Sequence, residues 1–414
     1  MSNPALRQNP LVDRENIVDL DLGSDYVRQN ALPELCATWA CNPPFYVENN
    51  GLLQAVVGRA ADVKAVLEDT ERFVTRLPEG PGYERFDFFN GAVTVVQLEG
   101  KEHARVRMSM MPSFVSGGFL NKFETSMQAI ISDMLDQLDN EFDAMEDFAN
   151  HLVVRNLLDA LLGMSLEQQQ VLIRMHDALS LVVDLAPGEA HPPAYLQAQQ
   201  DAFMVIMEMI ADRRMKPREL DFISGMIASQ EKHGINDDQE LIANIFAVIG
   251  AGQGTTSTAT GAMLMLLCQN PEQFDKVKAD PSLIPQAVEE ALRMHGAGFF
   301  TFPRFATRDV ELGGVMIFKD MPVNISMLAA NLDPTEYADP LRFDVTRNPK
   351  HILSFGSGPH HCIGNRMARR IMAATLEQIC QRFPNLHLQD PNFKPVYGGM
   401  YGELKPLHIP MRLS

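Results

Sequence analysis

The stretch HILSFGSGPHHCIGNRMARR, residues 351–370, carries the most specific pattern in this chain. Its pattern is F-x-x-G-x-x-x-C-x-G, fixed at Phe355, Gly358, Cys362 and Gly364. Gly358 can adopt a positive φ in a tight loop, and Gly364 lets a following helix approach a flat cofactor closely. Phe355 stands where it would shield the sulfur. The pattern therefore predicts a loop that presents the Cys362 thiol where a helix begins, over residues 363–380.

A cysteine presented in this way must be ionised before it can act as a ligand. A free thiol has a pKa of about 8.5, so full ionisation near neutral pH requires a bias of roughly 4 kcal/mol. A helix N-terminus supplies only about 0.3–1 kcal/mol, so a metal ion must supply most of the bias. Zinc is disfavoured, because His360 and His361 adjoin Cys362 but no second cysteine pair is present. Cys268 and Cys380 are predicted to be inert buried cysteines.

The cysteine segment, together with further motifs in the same order, resembles the cytochrome P450 superfamily of heme-thiolate monooxygenases, in its soluble bacterial type. The resemblance covers the chain from about residue 98 to its end. In this family a cysteine thiolate is the axial ligand of the heme iron. The resemblance implies a mainly α fold with small β-sheets. It also implies heme b (iron protoporphyrin IX), bound between a long distal helix and the Cys362 loop with its proximal helix.

Composition and charge narrow the class of protein further. Of 414 residues, 46% are hydrophobic and 21% are charged, which is ordinary for a chain that buries a large core. The net charge of −18 argues against general nucleic-acid binding, because phosphates would be repelled. We find no apolar leader and no stretch suited to a membrane span, and therefore expect a cytoplasmic protein without membrane insertion.

The cysteine count and the even composition bear on how the chain is organised. The five cysteines are odd in number and lack a C-x-x-C pair, so no disulfide framework is expected. No shift in composition marks a domain boundary. We expect a monomer with one domain over residues 1–414, made of a small β-rich N-terminal part and a large helical body.

Apolar spacing predicts the helical body over residues 119–270. Asn-Gly and Gly-Gly signals predict hairpins in residues 44–58 and 309–326. The stretch NIFAVIGAGQGTTSTATGAM, residues 244–263, carries three glycines and superficially matches a dinucleotide-binding turn. The apolar residues before the glycines have helical spacing and follow an acidic start, NDDQE. This favours one long helix over about residues 237–268 instead.

The resemblance identifies this long helix as the distal helix above the heme. It implies that Gly252 leaves room for dioxygen and that Thr255 hydrogen-bonds dioxygen and relays protons. Gly254 departs from the family pattern, in which an aspartate or glutamate is usual at that position. Proton delivery would then use water, Gln253, Thr256 or a group on the substrate. We expect turnover to be slower or less coupled to product than in a relative with the acid, and Gly254→Glu to improve coupling.

Two further sets of residues follow the family order. Glu290 and Arg293 of EEALR resemble the E-x-x-R pair, which would lock to Arg342 of DPLRFD in a structural cluster. Because Glu102 and Arg105 have the same spacing, the position before the cysteine loop makes the pair informative. The side chains that resemble the clamp for the heme propionates are His103, Arg107, Arg304 and His360.

Apolar side chains at the family's substrate-pocket positions imply an apolar substrate. They are Phe86, Phe88, Phe89, Ile245, Val248, Ile249, Phe299, Phe300 and Phe302. Aromatic residues at such spacing also occur in an ordinary core, so both interpretations stay open for each of them.

The segment NRMARR carries Arg366, Arg369 and Arg370 on the face through which electrons would enter. This cationic patch suits an acidic ferredoxin, although a solvated helix face explains it nearly as well. The sequence thus predicts a monooxygenase that oxidises a small hydrophobic molecule with O₂ and electrons from a separate ferredoxin and ferredoxin reductase. Two alternatives stay open, an H₂O₂-dependent peroxygenase, which Gly254 favours, and a heme-thiolate sensor or binding protein without turnover.

Overall fold

A computed structural model of the chain describes residues 16–49, 51–80, 82–83, 93–178, 191–235, 237–399 and 402–414. The chain groups into two compact units. The first comprises Met1–Phe88, Leu138–Ala149 and Gly254–Ser414, and the second comprises Phe89–Gln137 and Asn150–Gln253. The single domain expected over residues 1–414 stays a prediction.

The second unit is entirely helical over its described residues. Its helices are α4 (Gly100–Val115), α5 (Gly117–Asp136), α6 (Asn150–Arg155), a π-helical stretch (Asn156–Leu161), α7 (Leu166–Ala178), α8 (Pro193–Met215), α9 (Phe222–Lys232) and the first part of α10 (Asp238–Gln269). Side-chain caps start two of them, since Ser116 accepts a hydrogen bond from the Phe119 amide and Asp221 accepts one from the Ser224 amide. Most described residues of the helical body predicted over 119–270 are helical, and one short strand, Glu141–Asp143, interrupts it.

The first unit contains all the described strands as well as helices. Its helices are α1 (Asp25–Asn30), a π-helical stretch (Ala31–Leu35), α2 (Cys36–Cys41), α3 (Ala60–Glu68), a second π-helical stretch (Ala144–Ala149), the remainder of α10, α11 (Pro271–Ala279), a 3₁₀ turn (Pro281–Leu283), α12 (Ile284–Met294), α13 (Met327–Asn331) and α14 (Asn365–Arg382). Its strands are β1 (Ile17–Val18), β2 (Phe45–Asn49), β3 (Leu52–Val57), β4 (Phe73–Val74), β5 (Glu141–Asp143), β6 (Arg304–Ala306), β7 (Val310–Leu312), β8 (Val315–Ile317), β9 (Pro322–Ile325), β10 (His387–Leu388), β11 (Tyr397–Gly398), β12 (Lys405–Pro406) and β13 (Pro410–Arg412).

The largest sheet has six short strands in the order β1-β2-β3-β9-β6-β4. Both predicted hairpins are present, because β2 pairs antiparallel with β3 and β7 pairs antiparallel with β8. Strand β3 also pairs in parallel with β9, so that Ala55 lies opposite Val323. The β-rich part is therefore not confined to the N-terminal region, because it takes β6 and β9 from the later half of the chain.

Helix α10 runs unbroken from Asp238 to Gln269, close to the predicted bounds of 237–268. The three glycines at its centre lie inside a helix, which excludes the strand-turn-helix arrangement of a dinucleotide-binding site. Among the described residues, no helix is both long enough and apolar enough to cross a membrane.

Candidate active site

The loop before α14 presents the Cys362 thiol at the protein surface. The Cys362 amide donates a hydrogen bond to the Phe355 carbonyl oxygen at 2.8 Å, which closes the loop. Gly358 has a φ of +70°, and a Cβ atom there would lie 2.6 Å from the backbone oxygen of Leu67. Since only glycine tolerates both conditions, the sequence pattern follows from the shape of the loop. Helix α14 begins at Asn365, two residues after the start predicted at residue 363.

The other four cysteines are poorly suited to act as ligands. Burial raises the pKa of the Cys36 and Cys268 thiols to about 12 and that of Cys380 to about 11, so all three stay protonated at neutral pH. Cys41 is exposed, but it ends the short helix α2 and no comparable loop surrounds it. None of the five cysteines, all of which the structure describes, forms a disulfide bond.

Phe355 and the arginines of α14 form the surroundings of the loop. The guanidinium carbon of Arg369 lies 4.3 Å from the centre of the Phe355 ring, and Arg369 also forms an ion pair with Glu289. Arg366 is exposed and Arg370 is half-buried. Arg369 of the predicted cationic patch is thus engaged within the fold.

The four predicted propionate-binding side chains are divided between the two units. In the first unit, Arg304 lies on β6, is 5% exposed and donates a hydrogen bond to the Phe302 carbonyl oxygen, and His360 is half-buried in the cysteine loop. In the second unit, His103 is buried and Arg107 is half-buried, one turn apart on α4.

The central part of α10 exposes a narrow strip of its surface. Ala251 and Thr255, one turn apart, are exposed, whereas Gln253 is buried. A Cβ atom at Gly252 would lie 3.3 Å from the Leu157 side chain, so this glycine also allows close packing against the stretch Asn156–Leu161. The carbonyl oxygen of Thr256 accepts a hydrogen bond from Thr260.

Gly254 lies beside a carboxylate from a distant part of the chain. A Cβ atom at Gly254 would lie 2.8 Å from Oε1 of Glu403, which belongs to the segment between β11 and β12. A carboxylate group thus lies beside Gly254, although the residue itself has no side chain. No local motif marks Glu403, so the sequence carried no signal for this contact.

Most of the predicted pocket residues that the structure describes are buried. Phe302 is 37% exposed, whereas Phe299 and Phe300 are buried in an apolar cluster in which the Phe300 ring stacks on Trp39 at 5.6 Å. Ile245, Val248 and Ile249 are buried on α10. Phe86, Phe88 and Phe89 lie outside the described residues. Contact of any of these side chains with a substrate stays a prediction.

Glu290 and Arg293 form a fully buried ion pair on α12. Two nitrogens of Arg293 each donate to a separate carboxylate oxygen of Glu290 at 2.8 Å. The third member is Arg347, whose Nε donates to Glu290 at 3.0 Å, and not Arg342 as predicted. The side chain of Arg342 is exposed. Its backbone carbonyl oxygen accepts hydrogen bonds from Arg293 and Arg347.

The residues of the first unit fit a heme. An exposed thiol where a helix begins can bind an iron atom, and a buried arginine and a nearby imidazole supply the donors that propionates require. The three side chains are Cys362, Arg304 and His360.

Comparison with known proteins agrees with this geometry. The family model described as cytochrome P450 matches residues 43–405. The chain is 31% identical over 346 residues to the mycinamicin IV hydroxylase/epoxidase of Micromonospora griseorubida, an alignment that covers 81% of this chain and 83% of the relative. It is 29% identical to the epothilone C/D epoxidase of Sorangium cellulosum, with 83% of each protein covered.

The fold also matches solved structures. The crystal structure of epothilone D-bound cytochrome P450epoK superposes with a TM-score of 0.84 at 26% identity, covering 96% of this chain and 99% of that one. The chain therefore belongs to the cytochrome P450 family, whose members are heme-thiolate monooxygenases with heme b and a cysteine as axial ligand.

Proposed function

We propose that this protein inserts one oxygen atom of O₂ into a small hydrophobic molecule, with electrons delivered by a separate ferredoxin and ferredoxin reductase. The observation that carries the proposal is the exposed Cys362 thiol, held in a glycine-dependent loop at the start of α14. When bound there, the heme supplies the activation of O₂ that side chains alone lack.

The residues proposed to hold the heme have separate tasks. Cys362 binds the iron, and Gly358 and Gly364 allow the loop and α14 to take their positions. Phe355 covers the side of the heme on which the sulfur binds. The guanidinium group of Arg369 lies over the Phe355 ring. The propionates are held by His103, Arg107, Arg304 and His360, whose cationic and imidazole donors suit carboxylates.

On the oxygen side, the proposed residues lie on α10. Thr255 is exposed there, and we assign its hydroxyl group to hydrogen-bonding dioxygen and passing a proton. Of the residues near it in sequence, we assign Gly252 to leaving room for dioxygen, and Gln253 and Thr256 to proton delivery together with water. Glu290, Arg293 and Arg347 are assigned to the scaffold, because their cluster is buried and satisfied internally.

The proposed substrate is apolar, on the strength of the aromatic and aliphatic residues at the pocket positions. The names of the two relatives supply test compounds, mycinamicin IV and epothilones C and D. For the electron donor, exposed Arg366 and half-buried Arg370 offer positive charge near the cysteine loop, which suits an acidic ferredoxin. Five described cysteines without a disulfide bond favour a reducing compartment, and we propose the cytoplasm and a monomer.

The test is product formation by the heme-loaded protein. Binding is first screened by the shift in the heme absorption spectrum when a compound is added. The compounds are those named for the two relatives, together with terpenes, alkanes, fatty acids and aromatics. Turnover is then measured with ferredoxin, reductase and NAD(P)H under O₂, and separately with H₂O₂ alone, with Cys362→Ser as the control. Product in the first assay supports the proposal. Product only with H₂O₂ identifies a peroxygenase, and binding without product in either assay identifies a sensor.

A further inference from the structure

We propose that Glu403 supplies the proton-donating carboxyl group that α10 lacks at Gly254. The inference rests on the proposed monooxygenase turnover and adds to it a residue far from α10 in sequence. It also changes the meaning of Gly254, which becomes the position that makes room for the carboxyl group.

The backbone around Glu403 is fixed by neighbouring chain segments. The Phe299 amide donates to the Gly402 carbonyl oxygen at 2.9 Å, and the Leu404 amide donates to the Ala297 carbonyl oxygen at 3.2 Å. Between these bonds, Glu403 forms a β-bridge with Gly298. The position of its Cα atom is therefore set by the fold, which limits where the side chain can reach.

The carboxylate of Glu403 lies between two glycines. Its Oε1 is 2.8 Å from the place of a Cβ atom at Gly254, and its Oε2 is 2.8 Å from the place of a Cβ atom at Gly399. Gly399 has a φ of +112°, a conformation that already favours glycine. Any side chain at Gly254 would displace the carboxylate, so the glycine and the glutamate are matched.

The chemistry calls for an acid at this place. Each turnover uses O₂, two electrons from the ferredoxin-type donor and two protons, and yields oxidised substrate and one water molecule. Hydroxyl groups such as that of Thr255 relay protons, but they are too weakly acidic to be the source. A carboxyl group gives up its proton and regains one from water, so Glu403 is unchanged after the cycle.

The charge environment of Glu403 includes Lys405. Burial lowers the pKa of Lys405, and the negative charge of Glu403 acts against that shift. The half-buried Glu403 thus has a cation as neighbour and solvent access from which a proton can be recovered.

The experiment compares the wild type with Glu403→Gln, Gly254→Glu and the double variant. Glu403→Gln keeps the shape but has no acidic proton, so we expect product per NAD(P)H to fall at least about tenfold, H₂O₂ release to rise and the solvent isotope effect to grow. Gly254→Glu alone sets two carboxylates at one place and gives no gain in coupling, which reverses the expectation drawn from the sequence. In the double variant the acid moves to the helix, and coupling recovers. The exposed Glu311→Gln serves as the matched control and stays at wild-type coupling.

A second measurement does not depend on turnover. Because the carboxylates would crowd each other, Gly254→Glu lowers the thermal unfolding midpoint more when Glu403 is present than in the Glu403→Gln background. Unchanged coupling in Glu403→Gln, or equal loss of midpoint in both backgrounds, overturns the proposal. A wild type without any turnover contradicts the proposed function instead, and the thermal comparison still tests the placement of Glu403.

Discussion

Glu102 and Glu290 each stand three residues before an arginine on a helix, yet their surroundings are opposite. Glu102 is 64% exposed and its oxygen lies 3.0 Å from Arg105. Glu290 and Arg293 are fully buried and joined by two hydrogen bonds. The spacing that brings each pair together is the same, so it cannot be what makes one of them part of the scaffold.

Burial decides the difference, because it removes water as an alternative partner. Arg105 donates most of its hydrogen bonds to Glu240 on α10. Breaking the exposed pair between Arg105 and Glu102 costs little free energy, because water replaces each partner. Arg293 instead satisfies the carbonyl oxygens of Asn331, Pro340 and Arg342, so it joins α12 to the chain before the cysteine loop. A buried charge must have every partner in place.

The largest effect is expected from truncating the two glutamates. Glu290→Ala leaves two arginines without their buried counter-charge and should lower the free energy of unfolding by about 3–5 kcal/mol. Glu102→Ala, the matched control, should lower it by less than about 1 kcal/mol. Urea unfolding followed by circular dichroism measures both values. Similar losses in the two variants would show that burial is not the deciding factor.

His295 extends the comparison to a buried group that has no counter-charge. Burial lowers its pKa from 6.5 to about 4, and its Nε2 has no hydrogen-bond partner among the described residues. Between these two pH values the unfolded chain binds the extra proton, so folding stability falls as pH falls from about 6.5, by up to about 3 kcal/mol near pH 4.

Replacing the imidazole tests this assignment. His295→Phe keeps a ring beside Tyr397. Its thermal unfolding midpoint should fall less between neutral pH and pH 5 than that of the wild type. A pH profile that is unchanged from the wild type would rule out His295 as the source of acid sensitivity.

A smaller effect distinguishes Arg347, which belongs to the buried cluster, from Arg342, whose side chain is exposed. Arg347→Ala removes one bond to Glu290 and three to backbone carbonyl oxygens, and should lower the free energy of unfolding by about 1–3 kcal/mol. Arg342→Ala removes an exposed side chain and should change it by less than about 0.5 kcal/mol. The reverse order of effects would restore Arg342 as the third member.

These contrasts explain how much of the molecule the sequence predicts. The cysteine loop and α10 were predictable, because a positive φ at Gly358, a helix starting near Cys362 and helical apolar spacing are local requirements. The choice between Arg342 and Arg347 was not, since the two lie five residues apart and local pattern does not show which side chain turns inward.

The position of Glu403 could not be predicted for a different reason. Its contact with Gly254 depends on how the segment after β11 pairs with residues 297–300, which is a long-range feature of the fold. The sequence shows that glycine stands at position 254, where the family usually has an acid. It does not show that the carboxylate of Glu403 lies beside that glycine. An absence in a local motif was thus a sign that a distant residue fills the space.

Thiolate ligation by Cys362 underlies the assignment of every other residue around the heme. The measurement that tests it is the absorption spectrum of the reduced, heme-loaded protein under carbon monoxide, recorded for the wild type and for Cys362→Ser. We expect the thiolate-type carbonyl spectrum in the wild type and its loss in the variant. A histidine-type carbonyl spectrum in the wild type, or a thiolate-type spectrum that survives in Cys362→Ser, would show that the iron is bound elsewhere.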